Sequence, residues 1–230
     1  MNEIICVDKP VGWTSFDVVA KIRGAIKAGY IKQGTKPTKR QLKVGHAGTL
    51  DPFASGLLII LLGDACKQAD DFLKLDKSYE FTAELGKKSS TGDTEGEVTL
   101  VSSVIPTLEQ VEMAVGNFRG TVTQVPPAYS AIKINGQRAY KLAREGKEVA
   151  MPSRTITVYE LDLLAYEYPF VRAQCSVSSG TYIRTLAEDI GTALGVGAYC
   201  TQLRRISVGR MTVQDSLSIE KTIQYIESEM

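Results

Sequence analysis

The only histidine of the chain, His46, stands five residues before an aspartate bonded to a proline, Asp51-Pro52, and both lie among Gly45, Gly48 and Gly56. The proline removes an amide and stiffens the backbone at Asp51, so the carboxylate is positioned rather than merely solvated. The glycines permit positive φ or close approach of another chain, which lets a polynucleotide come near without Cβ atoms in the way. The chemistry this spacing offers is that of a held carboxylate beside an imidazole. On residue types alone a plainer reading stays open, in which Asp51 turns the chain and His46 is an incidental loop residue, because Asp, Pro and Gly are ordinary turn formers.

Directly after this stretch comes the apolar run Leu57-Leu58-Ile59-Ile60-Leu61-Leu62, bounded by Gly56 and Gly63. Its length fits a fully buried strand and is too short for a membrane span, so the His46–Asp51 stretch reads as a loop at a sheet edge. Upstream, Ile4-Ile5-Cys6-Val7 reads as a short strand. Thr14 or Ser15 can cap a helix with Phe16, Val19, Ile22 and Ile26 recurring at helical spacing. Residues 29–43 read as a long exposed loop, and residues 64–76 as a helix with Ala65, Ala69, Phe72 and Leu73 inward.

The segment 77–86 alternates apolar and polar residues as a half-buried antiparallel strand does, with Tyr79 at the start of its inward face. A polar turn, Thr91-Gly92-Asp93-Thr94-Glu95-Gly96, leads to a strand over 97–101. Thr107 and Gln110 have capping-box spacing for a helix with Val111, Ala114, Val115 and Phe118 on its apolar side. A strand over 120–125 follows, then an Asn135-Gly136 hairpin signal and a short helix over 138–145. Two further strands, about 155–166 and 170–178, feed a glycine turn and a helix that starts near Tyr182 and Arg184. An arginine in a helix's first turn opposes the helix dipole unless an anion holds it. A last helix covers 218–230, with Ile219, Ile223 and Ile226 on one side.

At 230 residues and 43% hydrophobic content the chain can bury a sizeable core. The N-terminus lacks the basic start and small-residue cleavage site of a signal peptide, so the expected location is cytoplasmic. Cys6, Cys66, Cys175 and Cys200 are too widely spaced for a zinc pattern and read as reduced thiols. No metal site, cofactor or membrane partner is expected. The net charge of +1 excludes a global cationic field, but the charge is segregated. Residues 18–50 carry eight lysines and arginines and no acid, and a second basic set comprises Lys133, Arg138, Lys141, Arg144 and Lys147. Each cluster alone reads as a solvated face; two flanking one candidate site favour phosphate contacts.

The stretch from Gly45 to Leu58 resembles the central motif of the bacterial tRNA pseudouridine-55 synthases of TruB type, Gly-His-x-Gly-x-Leu-Asp-Pro-x-Ala-Ser-Gly-Leu-Leu, and the match is complete. The resemblance extends to Lys9-Pro10-x-Gly12-x-Thr14-Ser15, to Pro126-Pro127-x-Tyr129-Ser130-Ala131-x-Lys133, to Gly180-Thr181-Tyr182-Ile183-Arg184 and to Leu203-Arg204-Arg205-x-x-Val208-Gly209. It covers about residues 4–209. The sequence itself supports a mixed α/β protein with mainly antiparallel strands. The resemblance makes this the pseudouridine synthase fold, of α+β type, with a large central sheet flanked by helices and RNA-binding loops.

What the resemblance implies is isomerisation of uridine 55 in the tRNA T-loop, with the base flipped out of its stack. It assigns Asp51, Tyr79 and Arg184 as catalytic, Arg184 pairing with Asp51. It assigns His46, Tyr79, Tyr182 and Leu203 to binding the flipped nucleotide. Lys9, Lys43, Lys133, Arg144, Arg204 and Arg205 are expected on the RNA backbone. The expected organisation is one catalytic domain over 1–230, with an RNA-gripping insertion at about 126–150 and no C-terminal PUA domain, acting as a monomer on the T-stem loop of tRNA with no obligate protein partner. Three other readings compete: a noncatalytic tRNA-binding or folding chaperone on the same fold, an RNA-guided relative working in a ribonucleoprotein, and an unrelated α/β hydrolase using Asp51 with a second acid. The last leaves the matching motifs unexplained.

Overall fold

The computed structural model describes residues 2–130, 132–134, 136–147 and 149–230. In chain order the elements are β1 (Ile4–Lys9), α1 (Ser15–Lys32), β2 (Val44–Ala47), β3 (Ser55–Leu62), α2 (Ala69–Leu73), β4 (Lys77–Leu85), β5 (Lys87–Ser89), β6 (Val98–Leu100), α3 (Leu108–Gly116) and β7 (Gly120–Gln124). They continue with β8 (Lys133–Ile134), β9 (Gln137–Arg138), α4 (Ala139–Arg144), β10 (Arg154–Glu167), β11 (Phe170–Val177), α5 (Ile183–Ala193), β12 (Ala198–Val208), β13 (Met211–Thr212) and α6 (Ile219–Ser228). A nine-stranded, mostly antiparallel sheet has the order β1-β3-β12-β4-β11-β10-β7, with β2 joined to β3 and β13 to β12. This is the mixed α/β architecture expected from the sequence, with the large central sheet that the resemblance implies. Among the described residues no helix is long and apolar enough to cross a membrane.

The chain forms two compact units, Met1–Ser78 with Arg204–Met230, and Tyr79–Leu203. The first unit is built on β3. Leu57 to Leu61 are fully buried and Leu62 nearly so, the burial expected of a continuous apolar strand flanked on both edges. One edge of β3 pairs along its length with β1, from Ile4 opposite Leu61 to Lys9 opposite Gly56. The other edge is shared: β2 takes Ile59 to Leu62, and β12 runs parallel to Ser55 and Gly56. The strip between the two partners is where the candidate loop leaves the sheet.

Helix α1 starts at a complete capping box, with Thr14 as N-cap and Asp17 reaching back to it. Its buried face is Ser15, Val18, Val19, Ile22 and Ile26. Phe16, expected inward, is 63% exposed; Ser15 takes the inward position one residue earlier. The helix runs on to Lys32, so the expected exposed loop is shorter than 29–43. The expected helix over 64–76 is instead a 3-10 turn, Gly63–Gln68, followed by α2, and Leu73 is exposed.

In the second unit β10 pairs antiparallel with β11 on one side and β7 on the other. The capping box of α3 between Thr107 and Gln110 is formed as its spacing predicts. Strands β8 and β9 make a small hairpin; Asn135 of the turn signal lies outside the described residues, as do Met1, Ala131 and Glu148.

Candidate active site

In the first unit, His46 lies on strand β2 opposite Ile60. The sequence suggested a loop here; the ladder with β3 makes it a short strand, and the loop proper is residues 48–54. Asp51 and His46 are both half-buried. The residue preceding Asp51 is held from both sides: the Ser15 hydroxyl accepts from Leu50 N at 2.9 Å and donates to Leu50 O at 3.1 Å. Gly12 N donates to Pro52 O at 2.7 Å, and Ala54 N donates to Asp51 O at 3.1 Å. A hydroxyl serving as both donor and acceptor satisfies two buried main-chain groups with one side chain. The carboxylate of Asp51 thus stands on a backbone fixed at Leu50, at its own carbonyl and at Pro52.

Arg205 completes this support. Its side chain is 1% exposed, Nε donates to Leu57 O at 2.7 Å and Nη2 to Gly48 O at 3.0 Å. The guanidinium therefore ties the end of β2 to β3 where those strands part. Gly56 has φ +102°, and a Cβ there would meet Arg205 O at 2.3 Å, so only glycine lets β12 approach β3 at this rung. Lys9 is likewise fully buried, with Nζ donating to Pro10 O at 2.9 Å and Trp13 O at 2.6 Å. Lys9 and Arg205 were both expected on the RNA backbone. With at most 1% of their surface exposed and donors engaged by carbonyls, they instead brace the segments that carry the loop.

Lys77 closes the end of α2, donating to Leu73 O at 3.0 Å and to Leu75 O. Burial and the nearby Arg205 charge push its amine down to about 8. Arg204 forms a bidentate pair with Asp8 at 2.7 and 3.1 Å on the partly exposed side of β12, and Lys43 is exposed.

In the second unit, Tyr79 and Leu203 are each 8% exposed and Tyr182 is half-buried at the N-cap of α5. Arg184 is the second residue of that helix and only 4% exposed. Its position there calls for an anion, and Asp93 is one: Nη1 donates to Asp93 Oδ2 at 2.7 Å and to Thr91 O at 2.9 Å, while Nη2 donates to Tyr129 O at 2.7 Å. Asp93 also accepts from Glu95 N at 3.0 Å. A buried pair of this kind is retained only when its remaining hydrogen-bonding groups are met, and here the polar turn meets them. Burial and the neighbouring Asp189 push the Glu188 carboxyl upward on the same helix.

The basic arm is exposed. Lys133, Arg138, Lys141, Arg144 and Lys147 all face solvent, and an open cleft of about 590 Å³ runs between Lys133, Arg138, Lys141 and Lys147. Arg144 lies over the Tyr140 ring, 5.7 Å from its centroid. Such a surface suits a polyanion held by hydrated charges.

Four supporting residues were not singled out by the sequence: Ser15 as a clamp, Asp93 as an anchor, and Gln124 and Arg154 beside Tyr182. One of them had a readable signal, and so did the inward turn of Arg205. The Thr14–Asp17 spacing assigns the helix cap to Thr14 and so frees Ser15. Strand alternation from Leu203 places Arg205 on the same inward face and Arg204 on the other.

A family described as TruB family pseudouridylate synthase (N terminal domain) matches residues 35–183, and one described as tRNA pseudouridylate synthase B C-terminal domain matches 184–229. The tRNA pseudouridine synthase B of Pseudomonas syringae pv. syringae is 43% identical over 97% of this chain and 69% of its own length. That of Parabacteroides distasonis is 41% identical over 98% of this chain and 94% of its own. Among solved structures, a chain of a Cbf5–Nop10–Gar1 complex superposes with TM-score 0.69 at 28% identity, covering 96% of this chain. A chain of an H/ACA RNP bound to a substrate RNA containing 2'-deoxyuridine gives 0.67 at 26%, also over 96% of this chain. This chain spans 54% and 52% of those two solved chains. On the two family matches and these identities, the chain belongs to the TruB family of pseudouridylate synthases.

Proposed function

We propose that the protein isomerises uridine 55 in the T-loop of tRNA to pseudouridine. The observation that carries this reading is the held Asp51, a carboxylate on a backbone fixed by Ser15, Gly12 and Arg205 within a motif that matches the family from Gly45 to Leu58. The reaction breaks the N1–C1′ glycosidic bond, turns the uracil and joins C5 to C1′; the C5 proton leaves and N1 gains one, so atoms balance without an oxidant or energy source. Asp51 serves as the nucleophile or as the counter-charge at the sugar. The base must leave its stack, at about a few kcal/mol, and His46 fills the vacated space. Tyr79 stacks on the uracil and assists loss of the C5 proton, Tyr182 lies against the nucleotide, and Leu203 closes the pocket. The pairing of Arg184 with Asp51 rests on the family pattern and is part of this proposal.

Lys43, Lys133, Arg144 and Arg204 take the phosphates of the T-stem loop. The protein acts in the cytoplasm as a monomer, without an obligate protein partner.

The test is release of tritium from tRNA transcript labelled at C5 of uridine. Release from the intact transcript, and none from one carrying cytidine at position 55, is the expected result. Release from both, or from neither, overturns the assignment. Asp51→Asn is expected to lower turnover by at least about a thousandfold, roughly 4 kcal/mol of barrier, with tRNA affinity within about threefold of the parent. Loss of binding in step with turnover would make the aspartate structural.

A further inference from the structure

We infer that one rung of the sheet, Gln124 opposite Arg154, is a positioning device for Tyr182, with Arg154 as the residue that fixes the ring. The inference rests on the reading above only in taking Tyr182 as a nucleotide-contacting residue. Arg154 opens β10 and sits directly across the ladder from Gln124 at the end of β7. The two side chains restrain Tyr182 in different ways. Gln124 is 1% exposed; its Nε2 donates to Tyr182 O at 3.0 Å and its Oε1 accepts from Tyr182 N at 2.8 Å. That pair of bonds fixes the main chain at the entry to α5, where the Tyr182 side chain itself supplies no cap.

Arg154 acts on the ring. Its guanidinium carbon lies 4.8 Å from the Tyr182 ring centroid. Its Nε and Nη2 are buried and, among the described residues, have no hydrogen-bond partner. Burying guanidinium N–H groups without acceptors is unfavourable, and an aliphatic side chain would fill the same space without that cost. Among the described residues the aromatic face is the partner found over the guanidinium: a cation over a ring is attracted to its negative face, more strongly when water is excluded. A planar guanidinium on one face of the tyrosine restrains the ring and leaves the opposite face for a stacked base. The adjoining turn keeps the arrangement close. Gly180 has φ +83°, and a Cβ at that position would lie 3.0 Å from Arg154 Nη1.

The experiment is a double-mutant cycle with an independent spectroscopic arm. Arg154→Met is expected to lower kcat by about tenfold or more while KM for tRNA stays within about twofold, and Arg154→Lys, which keeps the charge but not the plane, recovers part of the loss. In a Tyr182→Ala background the same Arg154→Met change is expected to alter turnover by less than about twofold, because its target is gone. Equal losses in both backgrounds would overturn the inference. Independently of turnover, 3-fluorotyrosine at position 182 reports the ring by fluorine NMR. Its resonance is expected to move toward that of free fluorotyrosine in Arg154→Met, and to an intermediate place in Arg154→Lys; an unchanged resonance in both overturns the inference. Should Arg154→Met fail to fold, the lysine variant carries both arms. A parent protein that releases no tritium would sink the proposed function, and the fluorine shift would still decide the role of Arg154.

Discussion

The loop that carries Asp51 and the arm that carries Lys133 to Lys147 both set cations close to glycines, Lys43 near Gly45 in the one and Lys133 to Lys147 around Gly136 and Gly146 in the other, yet they handle charge in opposite ways. Around the loop, Lys9 and Arg205 are turned inward and spend their protons on main-chain carbonyls. In the arm the lysines and arginines stay hydrated, on two-residue strands and a six-residue helix. The difference follows from what each must do. A reacting carboxylate has to be held to a fraction of an ångström, which justifies burying charge to tie down backbone. A phosphate chain is attracted over a distance of several ångströms by charges that any nearby conformation can present, so rigidity there gains little.

The contrast is broken or sharpened first at Arg205. Replacing Arg205 with Met leaves Gly48 O and Leu57 O without their donor. The expected cost is about 2–4 kcal/mol, a fall in Tm of about 5–15 °C for a chain of this size. Thermal unfolding of Arg205→Met against the parent measures it, with tRNA affinity of the folded variant within about threefold. A stable variant that has lost affinity would show Arg205 to be a phosphate ligand after all and would erase the distinction.

The arm should respond in the converse way. Lys133→Ala, Lys141→Ala and Arg144→Ala together are expected to weaken tRNA binding by about thirtyfold at 0.1 M salt and to flatten the slope of log affinity against log salt by about 2–3. Tm should stay within about 1 °C. Filter binding over a salt series reads the first two and a melt the third. An unaltered slope would mean these cations do not displace counterions from the RNA.

How much of this was legible in sequence follows the same division. Local chemistry was readable: the capping box at Thr107 and Gln110, the buried run that became β3, and the first-turn arginine that needed an anion. The position of Asp51 came from its motif. The inward cations did not, because their acceptors are remote. Arg205 bonds carbonyls 148 and 157 residues earlier in the chain, and Arg184 reaches Asp93 across 91 residues. A lysine or arginine in a basic motif has the same one-dimensional signature whether it meets a carbonyl inside or a phosphate outside. Phe16 failed for a related reason: Ser15 is polar and looked like a cap, but Leu50 supplies both partners that let it face inward.

Between the fully buried and fully hydrated charges lies Asp189 on α5, and it gives the smallest and most graded test. The carboxyl is half-buried, and desolvation pushes it from 3.8 up to about 6. With the folded pKa above the unfolded one, the protonated acid favours the folded state, so its stabilisation is complete below about pH 4 and is lost as pH rises through about 6. A fully desolvated group with this shift would lose about 3 kcal/mol; water at a half-exposed carboxyl screens that to about 1 kcal/mol. Asp189→Asn removes the titration while keeping the shape. Its Tm is therefore expected to exceed the parent's by about 2–4 °C at pH 7.5 and to converge with it near pH 4. If the two melting curves run parallel across that window, the ionised carboxyl is fully hydrated, and α5 handles its charge as the arm does rather than as the loop does.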